Sequence, residues 1–149
     1  MKISTKGRYG LRVMLELASH SGQGALRVEQ IARRQGISAK YIHVLVSSLR
    51  SAGLVNTVRG PNGGCTLARS PSAITALDVV AALEGASAPV ECVLDAAGCK
   101  RSAECATREV WCEVAAAMDR VLAGLTLEQL ARRQRDKEAG RAATSNYQI

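Results

Sequence analysis

RVEQIARRQGISAKYIHVLVSSLRSAGLV, Arg27 to Val55, holds two helical patterns divided by one glycine. Val28 to Gln35 suits a short helix, although Arg27 stands where a Ser or Thr cap is expected. Gly36 permits a left-handed exit, and Ser38 can cap the helix that follows. In that second helix Ile42, Leu45, Leu49 and Ala52 recur at three- and four-residue steps and form one buried stripe. Gly53 ends it. Helix, tight turn, helix is the outline of a DNA-reading helix-turn-helix.

Outward from this centre the period changes. Across residues 54–68, LVNTV and CTLA read as short strands around RGPNGG, with turn chemistry from Pro61, Asn62, Gly63 and Gly64. A hairpin in that place is a wing, and Cys65 reads as a half-buried strand residue within it. Upstream, Thr5 to Ser19 reads as a helix broken by SGQG at 21–24. Downstream, Thr75 to Glu84 forms a helix that Thr75 can cap, and GASAP breaks the chain before Cys92, Cys99 and Cys105. Thr107 to Gly124 carries a long apolar stripe through Val110, Trp111, Val114, Met118 and Val121, reaching on to Leu125. Thr126 with Gln129 makes a capping box for a last helix from Leu127 to about Lys137. The polar end reads as frayed. The expected fold is mainly α with a small β-hairpin wing. It comprises a winged helix-turn-helix DNA-binding domain over 1–86, a cysteine loop over 87–106, dimerisation and C-terminal helices over 107–137, and a disordered tail over 138–149.

The composition narrows the function. A chain of 149 residues with 47% hydrophobic content suits one domain, with Leu, Val, Ala and Ile filling a core that has no Phe. No apolar run approaches the ~18 residues of a membrane span, so no membrane partner is expected. Charges scattered through MKISTKGRYGLRVMLELASH fit no signal peptide, and a cytoplasmic location is expected. Five cysteines there stay reduced, leaving metal binding, redox sensing or plain burial. The net charge of +7 is uneven: residues 1–70 carry 11 Lys or Arg against two acids, residues 71–149 nine against 11. Such a field draws a polyanion to the N-terminal half.

MKISTKGRYGLRVMLELA, IARRQGIS, KYIHVLVSSLRSAGLV and VRGPNGG, in that order, resemble the IscR/NsrR/CymR (Rrf2) family of bacterial winged-helix transcription regulators. The likeness covers roughly residues 1–137. It implies a homodimer on double-stranded operator DNA, acting as a repressor. It also implies an iron–sulfur cluster, [2Fe–2S] or [4Fe–4S], held by Cys92, Cys99 and Cys105. The family's commoner spacing has five residues in each interval; here the first interval has six.

The residues themselves support a reading head. The buried stripe leaves Ser38, Ala39, Lys40, Tyr41, His43, Ser47 and Arg50 near the N-terminal and outer surface of the second helix. Lys40, Tyr41 and His43 can reach base edges there, the alternative for His43 being a merely exposed helix residue. Arg59 at the hairpin tip can enter a narrow minor groove; the bland alternative is a solvated turn residue. Lys2, Lys6, Arg8, Arg12 and Arg69 are phosphate contacts or bystanders.

The three thiols lack the two-residue knuckle spacing of a zinc ribbon, and their looser loop suits a larger object. A cysteine redox switch or inert buried thiols are the other readings. A fourth ligand is not fixed; Cys112, Glu104, Glu109 and Glu113 are candidates. No nucleophile–base pair is in sight, so no enzyme is expected. Two other functions compete: a cluster-free regulator of sulfur metabolism, controlled by a partner enzyme or thiol oxidation, and an iron–sulfur scaffold or electron carrier.

Overall fold

The computed structural model describes residues 3–60, 63–85 and 88–145. Ser4 opens helix α1 (Thr5–Ser19), its hydroxyl accepting from the backbone N–H of Lys6 at 3.0 Å. Val13, Met14, Leu17 and Ala18 give α1 its buried face. In α2 (Val28–Gln35) the cap comes from Gln30, whose Oε1 accepts from the Arg27 N–H at 2.9 Å. Gly36 takes φ +64°, and the turn it makes delivers Ser38 to the head of α3 (Ala39–Ser51), where its hydroxyl accepts from the Tyr41 N–H. The buried face of α3 is Ile42, Leu45, Val46 and Leu49. Ala52 is not part of it. The helix stops at Ser51, Ala52 lies exposed in the cap, and Val46 completes the stripe.

Strands β1 (Val55–Val58) and β2 (Gly64–Leu67) pair antiparallel, Val55 opposite Leu67 and Val58 opposite Gly64. The expected turn residues Pro61 and Asn62 lie outside the described residues. The Cys65 N–H donates to the Leu26 carbonyl at 2.7 Å and the Leu26 N–H returns to the Cys65 carbonyl at 3.0 Å. Cys65 is 3% exposed and joins the core together with Leu26, so it is buried rather than half-buried.

Thr75 and Asp78 form a reciprocal capping box on α4 (Ala76–Glu84). The cysteine segment is not plain loop. It contains α5 (Glu91–Leu94) and a 3₁₀ turn over Ser102–Glu104 before α6 (Ala106–Ala123). Thr126 and Gln129 cap α7 (Leu127–Ser145) as their spacing implies. That helix does not end near Lys137, so residues 138–145 are helix rather than disordered tail. Its last turns are rich in Ala, Arg, Lys and Glu, strong helix formers, and Gln134 Nε2 donates to Glu138 Oε1 at 2.7 Å. Residues 146–149 lie outside the described residues.

Leu127 and Ala131 of α7 join Val13, Met14, Ile31, Leu45, Leu49 and Val79 in one core. The last helix thus packs back on α1 instead of standing apart with α6. Ala76 N–H donates to the Leu125 carbonyl at 2.8 Å and Leu127 N–H to the Ile74 carbonyl at 2.9 Å, pinning the start of α4 to the start of α7. α6 itself has no buried residue, and Val110, Trp111 and Val121 are exposed. No helix among the described residues is long and apolar enough to cross a membrane.

Candidate nucleic-acid interface and thiol segment

Because the stripe of α3 faces the core, Ser38, Lys40, His43, Ser47 and Arg50 are exposed on its other side. Val44, 50% exposed, stands among them and was not singled out by the periodicity. Ala39 and Tyr41 differ from expectation: both are half-buried and pack against the core. Tyr41 meets Tyr9 of α1 edge to face, ring centroids 6.2 Å apart. The Arg8 and Arg12 guanidinium groups lie over the Tyr9 ring at 4.8 and 5.4 Å. Arg12 is also bonded through Nε to Gln35 Oε1 and through Nη2 to the Gln35 carbonyl, tying α1 to the end of α2. Of the two acids in residues 1–70, Glu16 is paired with Arg34 at 2.8 Å and accepts from Gln35 Nε2 at 2.6 Å.

The hairpin stands beside α3. His43, with Thr57, Val58 and Gly60, lines one open cavity of about 600 Å³ between helix and wing. Arg59 is exposed directly after β1. Lys6 is half-buried, whereas Arg8 and Arg69 are exposed; Lys2 lies outside the described residues. A convex helix with an adjacent basic wing can meet a major groove and its neighbouring minor groove.

The thiols form the second site. Cys92, Cys99, Cys105 and Cys112 are each half-buried, and all five cysteines are free. Cys92 and Cys99 line a cavity of about 490 Å³ with Glu91, Leu94, Asp95 and Gly98. Cys105 does not line it. It occupies the cap position of α6, with Sγ 3.1 Å from the Thr107 hydroxyl. That hydrogen bond, followed by the backbone N–H of Arg108, pulls the Cys105 thiol below its ordinary range, whereas burial and then Glu29 push Cys65 up.

No three His, Cys, Asp or Glu among the described residues stand close enough to hold a metal ion. Thiols are the donor type that an iron–sulfur cluster takes and three occur in fourteen residues, but Cys105 stands apart from the cavity that Cys92 and Cys99 share. What the structure adds is a restraint that the spacing does not reveal. Arg108 Nε donates to the Cys92 carbonyl at 2.8 Å, across sixteen residues.

The Rrf2 family model, described as an iron-dependent transcriptional regulator, matches residues 3–133. The chain is 47% identical over 131 residues to the HTH-type transcriptional regulator CymR of Bacillus subtilis (strain 168), covering 88% of this chain and 90% of the relative. The solved structure of CymR, the global cysteine regulator of B. subtilis, superposes with a TM-score of 0.77 at 44% identity, over 89% of this chain and 98% of that one. T. potens IscR superposes with a TM-score of 0.74 at 36% identity, over 90% of this chain and 88% of that one. These relatives are named as transcriptional regulators. A reading helix beside a hairpin, in a chain so matched along nearly its whole length, makes this protein a member of the Rrf2 family of winged-helix, DNA-binding transcriptional regulators.

Proposed function

We propose that the chain is a homodimeric repressor whose grip on double-stranded operator DNA is set by an iron–sulfur cluster on Cys92, Cys99 and Cys105. One observation carries this reading. The thiol segment is spliced between the reading-head core and a helix whose apolar face lies open. Val110, Trp111 and Val121 meet the same helix of a second copy, and the two-fold axis sets the spacing of the two reading heads. On the DNA, Ser38, Lys40 and His43 face base edges, Arg50 faces the backbone, and Arg59 enters the minor groove. Ala39 and Tyr41 set the seat of α3 on the core. A bound cluster supplies reversible redox and ligand-exchange chemistry. The chain's own part is to hold the thiols next to the first turn of α6, so that a change in the segment reaches the dimer seam.

A second reading has support in the 47% identity to CymR and in the cavity that joins only two of the three thiols. It is a cluster-free regulator answering to thiol oxidation or a partner enzyme. One experiment separates the two. Protein purified under nitrogen is assayed for iron and visible absorption, and its operator affinity is compared with that of the Cys92→Ser, Cys99→Ser, Cys105→Ser triple variant. Bound iron and a changed affinity support the cluster. A colourless, iron-free protein whose affinity responds to peroxide supports the second reading and sinks the first.

A further inference from the structure

Arg108 lies in the first turn of α6, half-buried, and its Nε reaches the Cys92 carbonyl at 2.8 Å. The preceding residue, Thr107, places its hydroxyl 3.1 Å from Cys105 Sγ. Two consecutive residues of one helical turn therefore touch both end cysteines of the segment. Cys92 belongs to α5, which has four residues. A helix that short does not hold itself in water, so its place depends on contacts from outside. A guanidinium bonded to a carbonyl is charge-assisted and directional, which suits that duty.

We propose that Arg108 is the positioning residue of the thiol segment: it fastens Cys92 to the start of α6 and keeps the segment a closed loop before any cargo arrives. Closing an open chain of this length costs entropy that grows with the logarithm of its length. With the ends already fastened, gathering the thiols requires only rearrangement within the loop. The identity of the cargo rests on the cluster reading; the closure itself belongs to the metal-free chain.

The test uses the full chain, reduced and metal-free, under limiting iodoacetamide with alkylation read at each cysteine by mass spectrometry. Arg108→Ala is expected to raise the rate at Cys92 by about fivefold or more, through local opening of the segment. Arg108→Lys, which keeps a charged donor, is expected to return it to within about twofold of the parent. Cys65, 3% exposed, stays unreacted in all three and reports that the core is intact. Equal rates at Cys92 in the parent and Arg108→Ala, with Cys65 still protected, overturn the proposal. So does a lysine variant that behaves as the alanine one.

Anaerobic reconstitution with ferrous iron and sulfide then separates the two readings. If the parent takes up no iron while the alkylation difference persists, the cluster fails and the closure stands. If parent and Arg108→Ala load equally and alkylate equally, the closure fails and the cluster stands.

Discussion

Gly10 faces Leu83 where α1 crosses α4, and a Cβ there would overlap the Leu83 Cδ1 methyl. Leu83 is 5% exposed, so the methyl has little room to retreat. Gly10→Ala is expected to cost about 1–3 kcal/mol through overpacking. That lowers the midpoint of a thermal melt by roughly 2–4 °C per kcal/mol in a chain of this size; a midpoint equal to the parent's refutes the close approach. One turn earlier, Glu84 accepts from the Ser4 hydroxyl at 2.6 Å and the Gly7 N–H at 2.8 Å. A carboxylate at the head of α1 opposes the positive end of its dipole. The first residue after α4 is Gly85, where the chain leaves for the thiol segment, so the crossing of α1 and α4 borders both sites. None of this is written in local spacing, because Ser4 and Glu84 are eighty residues apart.

Among the long helices of the described residues, α6 buries no side chain in its own chain. Val110 is 55% exposed, Trp111 40% and Val121 64%. Trp111→Arg is expected to turn a dimer into a monomer, read by light scattering at a concentration where the parent is dimeric. A variant that stays dimeric removes α6 from the seam. The caps were legible in the sequence because they act over three or four residues: Ser38 on Tyr41, Thr75 with Asp78, Thr126 with Gln129. The outer face of α3 was legible in part for the same reason: Ser38, Lys40, His43, Ser47 and Arg50 are exposed, whereas Ala39 and Tyr41 are drawn toward the core by Tyr9 and its neighbours. The burial of Cys65 was not legible, because it comes from the core it shares with Leu26, a residue far back in the chain that pairs with it through the backbone. Nor was the return of α7 to the core: Leu127 and Ala131 look like any apolar helix positions until α1 is seen beneath them. The Arg108 bond to Cys92 is hidden likewise, since a basic residue in a first helical turn otherwise reads as solvated.

At the scale of the whole molecule, the half of the chain that supplies α3 and the hairpin carries the positive charge. Eleven bases against two acids lie in residues 1–70, and one of those acids, Glu16, is paired. Operator affinity is therefore expected to fall with salt, by at least about tenfold between about 50 and about 200 mM, with a slope near −0.9 per neutralised phosphate. Arg59→Ala is expected to make that slope shallower by about one. A titration showing no salt dependence, or the same slope in the variant, contradicts this account of the head.

The paired hydrogen bonds between Ile74–Ala76 and Leu125–Leu127 have a separate meaning. They make the chain depart and come home at a single doorway, so everything from α4 to α6 is an excursion whose two ends are already joined. Lengthening such a detour, as the additional residue between Cys92 and Cys99 does, leaves the doorway undisturbed. Whatever the thiol segment is asked to carry, its length is thus uncoupled from the seat of α1 and α3 on the core.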